Sequence, residues 1–199
     1  MSCSLEIRKA LSKSIQMSLI NLLKDVPFIS SAFEDGTHDV DILRSKFEVS
    51  YAETGDVLFD QGSASDRFYI IAEGTVVIFA DADKVITRKK QSRQNRMQSS
   101  GDSLFSNKED DQDAANTNLV VVDMIKSGQF FGEMGLLVAH RRRAVSVVAK
   151  TPSMLFSMSV ADFEWLLETY PDIGEKVQRL ATQRRQQLSI TVEQFLDQL

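Results

Sequence analysis

Apolar residues at Leu11, Ile15, Leu19, Leu22 and Val26 recur in steps of three and four, which predicts an amphipathic helix within residues 5–26. Pro27 ends it, because the residue before a proline is driven out of helical geometry. A second short helix is predicted over about Asp39 to Arg44, and after it the period changes. Phe47, Val49 and Tyr51 alternate with Lys46, Glu48 and Ser50, and Gly55-Asp56 then leads into Val57-Leu58-Phe59 and the turn Asp60-Gln61-Gly62-Ser63. Phe68 to Ala72 and Thr75 to Phe79, divided by Glu73-Gly74, form the arms of a further pair, and strand-like runs follow at Leu119 to Ile125, Arg143 to Ala149 and Met154 to Met158. Short strands separated by glycine turns, with few helices between them, predict an antiparallel β sandwich or jelly roll rather than a βαβ fold.

Residues 87–118 interrupt the strands with Arg88, Lys89, Lys90, Arg93 and Arg96 in their first part and Glu109, Asp110, Asp111 and Asp113 in their second. Ser, Asn and Gln fill most of the remainder, so the segment has too little apolar surface to offset its ordering entropy and is expected to be a disordered insertion. From Val160 the helical period returns, with Val160, Phe163, Leu166 and Leu167 on one face before Tyr170-Pro171 breaks the run. Ile173, Val177, Leu180, Leu188, Val192, Phe195 and Leu199 continue as one stripe, and Arg184 lies inside it. That stripe suits either an oligomerisation helix, giving a homo-oligomer, or a helix packing on its own domain. The expected organisation is an N-terminal helical segment at 1–45, a β domain at 46–158 and C-terminal helices at 159–199.

Composition narrows the function classes. A chain of 199 residues suits one buried core with appendages. A net charge of −5 and a pI near 5.1 argue against a nucleic-acid-binding face, which needs clustered Lys and Arg. The single cysteine, Cys3, has no intrachain partner, and His38 and His140 lie far apart without cysteine neighbours, so no zinc site and a reducing cytoplasmic setting are expected. No apolar stretch approaches the roughly 18–20 residues that cross a bilayer, and the opening Met1-Ser2-Cys3-Ser4-Leu5-Glu6 lacks the pattern of a signal sequence. A soluble chain is expected, on its own or as part of a membrane-embedded parent.

The most telling chemistry is the ten-residue interval from Glu133 to Arg143 in Phe131-Gly132-Glu133-Met134-Gly135-Leu136-Leu137-Val138-Ala139-His140-Arg141-Arg142-Arg143-Ala144. Gly128 and Gly132 bracket Phe130-Phe131, and a short helix is predicted to begin at Glu133, turning backbone N–H groups towards an incoming anion. A guanidinium donates planar hydrogen bonds that fit phosphate oxygens, whereas a carboxylate only accepts and so fits sugar hydroxyls. One turn thus suits a ribose phosphate. No nucleophile–base pair or metal-ligand cluster is discernible, so no catalytic residue and no metal site are assigned and an enzyme is not expected.

With Gly55-Asp56, Phe68-Tyr69-Ile70-Ile71 followed by Gly74, Phe131-Gly132-Glu133, and Arg143-Ala144 leading through Val147 and Ala149 to Lys150-Thr151, the chain resembles the cyclic nucleotide-binding domain of catabolite activators, protein kinase A regulatory subunits and cyclic-nucleotide-gated channels. The resemblance spans about residues 20–188 without the insertion. It implies an α+β jelly roll with N-terminal helices, a short cassette helix and two C-terminal helices. It also implies that Glu133 meets the ribose 2′-hydroxyl and Arg143 the cyclic phosphate, with Gly132, Met134, Gly135 and Ala144 along the same cassette. A register one residue shorter, common among channels, selects Arg142 in place of Arg143. Arg184 and Leu188 match positions of a closing helix that moves over the base, and alanine at 144 favours cAMP over cGMP as ligand, with no cofactor.

Leu22-Leu23-Lys24-Asp25-Val26-Pro27-Phe28 and Leu167-Glu168-Thr169-Tyr170-Pro171 look most like the channel and transporter branch. The resemblance therefore implies a non-enzymatic regulatory domain whose natural output is gating of a parent membrane channel or transporter. Two alternatives stay open: a kinase regulatory module acting through protein–protein contact, for which residues 1–26 show no inhibitory segment, and a structural relative without ligand. A transcription factor is disfavoured because too few residues follow Leu188 for a helix-turn-helix. In the insertion, Ser92 and Ser99 each follow a basic residue by three positions, a pattern suited to phosphorylation.

Overall fold

The computed structural model describes residues 19–24, 26, 40–87 and 118–198. Most of the predicted N-terminal helix, the predicted insertion from residue 88 to 117, and Ser92 and Ser99 lie outside the described residues. Residues 19–24 and 82–87 are helical. The labelled elements run α1 (Val40–Ser45), β1 (Phe47–Ala52), β2 (Val57–Phe59), β3 (Arg67–Glu73), β4 (Thr75–Asp81), β5 (Leu119–Lys126), β6 (Phe130–Phe131), α2 (Glu133–Leu136), β7 (Ser146–Ala149), β8 (Ser153–Ser159), α3 (Val160–Thr169) and α4 (Pro171–Leu196).

Two four-stranded antiparallel sheets, ordered β1-β8-β3-β6 and β2-β7-β4-β5, form the β domain. Chain neighbours β1 and β2 lie in different sheets, as do β7 and β8, so the strands wind across a sandwich as the jelly-roll expectation requires. The β3–β4 pair turns between sheets at Gly74, where φ is +96° and an added Cβ would sit 2.6 Å from the Pro152 carbonyl oxygen. Only glycine combines that backbone angle with that close approach.

Side-chain alternation along the first sheet creates two cores. Phe68, Ile70, Phe156 and Met158 face the helices, packing with Phe163 and Leu166 of α3 and Ile173 and Val177 of α4. On the other face Ile71 and Leu155 meet Val76, Ala80, Val147 and Ala149 of the second sheet, and this core extends to Leu188 and Val192 of α4. One long helix thus serves both cores, its first turns bracing the sheet and its later turns covering the open end of the sandwich.

Three strand expectations need correction. Val49 and Tyr51, the apolar half of the β1 alternation, are 40% and 69% exposed, because β1 is an edge strand and only Phe47 reaches the helix-side core. The strand expected from Arg143 starts at Ser146. Its first residue instead exchanges backbone bonds with a loop, Gly62 N–H donating to the Arg143 carbonyl and Arg143 N–H to the Ser63 carbonyl, each at 2.9 Å. Phe130-Phe131, assigned to no strand from the sequence, pairs with Ile70 and Tyr69 as β6.

The start of α3 shows why the chain turns helical there. Ser159 caps it, its hydroxyl accepting from Asp162 N–H at 3.2 Å and donating to the Asp162 carboxylate at 2.7 Å. Lys46 Nζ donates to the same carboxylate at 2.8 Å, tying α3 to the entry of β1. The Lys46 ammonium first, then the Ser159 hydroxyl, hold the Asp162 carboxyl below its ordinary pKa. A depressed folded-state pKa stabilises above the unfolded value, near 4, and that contribution fades as pH falls through the folded one. Asp162→Asn is therefore expected to cost up to about 1 kcal/mol near neutral pH and progressively less in acid, as read from urea unfolding at about pH 7 and pH 2.5. An equal penalty at both would show that the charge plays no part.

Candidate functional site

The cassette is built from a turn, a short strand, one helical turn and a loop. β6 leads into Gly132, whose φ of +94° swings the chain into α2. An added Cβ there would lie 2.8 Å from Arg143 Nη1 and 3.0 Å from the Arg67 carbonyl oxygen, so the sequence needs glycine beside the arginine as well as at the bend. Gly135 is equally confined, its missing Cβ falling 3.0 Å from the Arg142 carbonyl oxygen. After α2 the loop passes through Arg141, the one non-glycine residue with positive φ, at 41°, among the described residues. Its guanidinium is anchored to Glu164 on α3.

Arg143 is 1% exposed, which a charged side chain tolerates only when its donors are matched. Nη2 donates to the Arg67 carbonyl at 2.9 Å and to Asp66 Oδ1 at 3.1 Å, and Nη1 to the Gly132 carbonyl at 3.2 Å. Its guanidinium carbon lies 3.9 Å over the Phe59 ring, a cation–π contact, with Tyr69 further away at 5.7 Å. Phe131 stacks on Tyr69 at 5.1 Å and lies 6.0 Å from Phe59, so one further ring braces the two beside the arginine. Burial pushes the Arg143 pKa down from its ordinary value, opposed by the Tyr69 phenol and Asp66, and burial pushes the Tyr69 phenol up. Arg142, the residue chosen by the shorter register, is exposed and donates to the Gly62 carbonyl at 3.2 Å; it does not line the cavity.

Glu133 is also 1% exposed, and its partner is not Arg143. Arg184 Nη1, from α4, donates to Glu133 Oε1 at 2.8 Å and to the Phe130 carbonyl at 3.0 Å, while its guanidinium carbon lies 4.4 Å over the Phe130 ring. Arg185 adds a longer bond to the Met134 carbonyl at 3.3 Å. The final helix is therefore latched onto the cassette through the carboxylate assigned to a sugar hydroxyl. A carboxylate has about four lone-pair sites, so the latch leaves it further acceptor capacity.

Between these parts lies a cavity of about 90 Å³. Gly132, Glu133, Met134, Gly135, Arg143 and Ala144 line it from the cassette, and Arg184 and Leu188 line it from α4. The structure thus brings together every residue assigned to the site from the sequence except Arg142. It adds Phe59, Asp123 and Gln187, which line the same cavity, and Asp66 and Tyr69, which brace Arg143. Asp66 and Phe59 had no sequence signal: one is a lone acidic residue before a strand, the other an ordinary strand phenylalanine. Tyr69 stood inside a noted motif, Phe68-Tyr69-Ile70-Ile71, without an assigned role.

Residues 112–170, from the end of the predicted insertion through α3, match the cyclic nucleotide-binding domain family. The fold is similar to the regulatory subunit of a cAMP-independent protein kinase A from Trypanosoma brucei (TM-score 0.58, 20% identity, 85% of this chain and 48% of that one). It is also similar to the regulatory domain of Toxoplasma gondii protein kinase A crystallised with cAMP (0.59, 17%, 88% and 52%). The Thermus thermophilus catabolite activator protein aligns too (0.54, 19%, 77% and 57%). A curated relative, the Pycsar effector protein PaPycTIR of Pseudomonas aeruginosa, is 35% identical over 60 residues, which is 30% of this chain and 20% of that protein. The family match is confined to residues 112–170, and the likeness to the solved structures is one of fold. The chain spans about half the length of the kinase structures and the matched segment a fifth of the curated relative.

Proposed function

We propose that this chain is a non-enzymatic regulatory domain that binds a cyclic nucleotide between the cassette and α4 and converts binding into movement of that helix. The observation that carries the reading is the buried arginine–aromatic cluster and the buried carboxylate facing one cavity, closed by a helix that donates Arg184 to that carboxylate. Arg143 holds the cyclic phosphate, Glu133 accepts from the ribose 2′-hydroxyl, and Leu188 covers the base. Alanine at 144 favours cAMP. Arg184 acts as the latch: nucleotide that completes the hydrogen bonding of Glu133 stabilises the closed helix, and the shift equals the difference in affinity between closed and open forms.

For the output, the resemblance of residues 22–28 and 167–171 to the channel and transporter branch supports gating of a membrane protein that carries this domain. No helix among the described residues is long and apolar enough to cross a membrane. The likeness to kinase regulatory subunits and to an effector protein supports a second output, control of an effector by contact or fusion.

Calorimetric titration of the chain with cAMP and cGMP tests the binding; no heat with either at millimolar concentration ends the sensor reading. Arg184→Ala is expected to weaken nucleotide binding about tenfold, near 1.4 kcal/mol, and to speed amide exchange along α4. Unchanged affinity and unchanged exchange would remove Arg184 from the latch.

A further inference from the structure

The strand β5 contains one irregularity, and it falls at the cavity. Ile78 of β4 pairs with Asp123, but the next residue, Phe79, pairs with Val121, so Val122 is an extra residue in the ladder. Burial shows what this bulge does. Leu119 and Val121 are exposed at 56% and 57% and Val120 is buried, so strict alternation puts Asp123 outside and Met124 inside. Instead Met124 is 36% exposed and Ile125 is 2% exposed. Asp123 and Met124 are both exposed, so the phase has switched only by Ile125, and Val122 and the exposed Asp123 both line the cavity. Bulges of this kind re-aim a side chain, and they gather beside functional sites.

The carboxylate delivered there has no structural employment that explains it. Among the described residues its one hydrogen bond is local, accepted from Met124 N–H at 2.7 Å, and it makes no ion pair. Ile78, its partner across the β4–β5 ladder, Val122 beside it in the chain, and Leu188 and Gln187 of α4 line the same cavity. Apolar faces with an acceptor at the edge suit a flat heterocycle. A carboxylate repels a phosphate, and the guanidinium that matches a phosphate is Arg143 on the cassette.

Building on the cyclic nucleotide reading, we infer that Asp123 is the base-reading residue, and that it selects bases carrying an exocyclic amino group. An ionised carboxylate only accepts hydrogen bonds. The amino groups of adenine, guanine and cytosine donate to it, and guanine adds a second adjacent N–H. Uracil presents carbonyl oxygens on either side of its one N–H, and those oxygens face the carboxylate unfavourably. Gln187, with both a donor and an acceptor, completes the edge from the moving helix.

The test is competition binding of cAMP, cGMP, cCMP and cUMP to the full chain and to Asp123→Ala and Asp123→Asn. The native chain is expected to bind its best amino-bearing nucleotide at least about tenfold tighter than cUMP, the scale of one charge-assisted hydrogen bond. Asp123→Ala should bring that ratio to within about threefold, and Asp123→Asn, whose amide donates, should narrow it by improving cUMP. Both replacements sit at an exposed side chain, so thermal unfolding should be unchanged. A native preference for cUMP, or an alanine variant with the native ratio, overturns the assignment while leaving the sensor intact. A native chain that binds none of the four overturns the sensor and Asp123's role together.

Discussion

Arg143→Ala is expected to weaken cyclic nucleotide binding at least about 100-fold, a loss of some 2.7 kcal/mol or more, while Arg142→Ala leaves affinity within about threefold. The difference follows from burial. Both residues carry the same guanidinium, but Arg143 is held between the Phe59 ring and the carbonyls of Gly132 and Arg67, facing the cavity, and Arg142 spends its charge in solvent. A phosphate at Arg143 meets donors already oriented, in a setting where hydrogen bonds to charge are strong. Arg143→Lys should fall between, because an ammonium keeps the charge without the planar fork. Removing the side chain also strips donors from two carbonyls and the cation from Phe59, so a stability loss of about 2–3 kcal/mol should accompany the alanine variant. Calorimetric titration together with denaturant unfolding separates the two effects. Near-native affinity in a folded Arg143→Ala protein would refute the phosphate assignment.

Phe68→Ala is expected to produce the largest loss of stability, about 3–5 kcal/mol, through a cavity at the junction of three elements. Phe68 is fully buried in β3, its ring stacked on Phe163 of α3 at 5.2 Å and tilted against Phe130 of β6 at 5.8 Å. Phe130 matters doubly, since its carbonyl and its ring both hold Arg184. Loss of the Phe68 ring should therefore lower nucleotide affinity as well, through a looser latch rather than a lost contact. Urea unfolding measures the first effect and titration of the folded fraction the second. A stability change below about 1 kcal/mol would mean that the site collapses around the gap.

The two carboxylates of the cavity show how differently a site residue can be read from sequence. Glu133 was legible, since it lies between glycines at a fixed interval from a basic triplet and has a chemical role distinct from that of arginine. Asp123 was not: within Leu119 to Ile125 it reads as the solvent-facing member of an alternating strand. Its place on the cavity wall, with the side chain still exposed, goes with the extra residue at Val122, which shows only when β5 is paired with β4. Asp66 was hidden for a related reason, lying 77 positions from the guanidinium it braces.

Arg184 lay between these cases. Its place in an apolar stripe marked it as unusual and the family resemblance placed it near the base, yet its hydrogen bonds go to Glu133 and the Phe130 carbonyl. Those partners are 51 and 54 residues away, and no local pattern specifies them.

What the sequence determined by itself was most of the succession of strands and helices, with β6 missed, the antiparallel class of the sheets and a candidate carboxylate–guanidinium pair in the cassette. Hydrophobic period, proline and glycine positions and side-chain charge act over a few residues, so they are readable along the chain. Tertiary structure alone decided which of the adjacent arginines is buried, which cation latches Glu133 and that Asp123 lines the cavity. Each of those depends on strand register or on how α4 lies over the sandwich, and both are set by packing between segments distant in sequence.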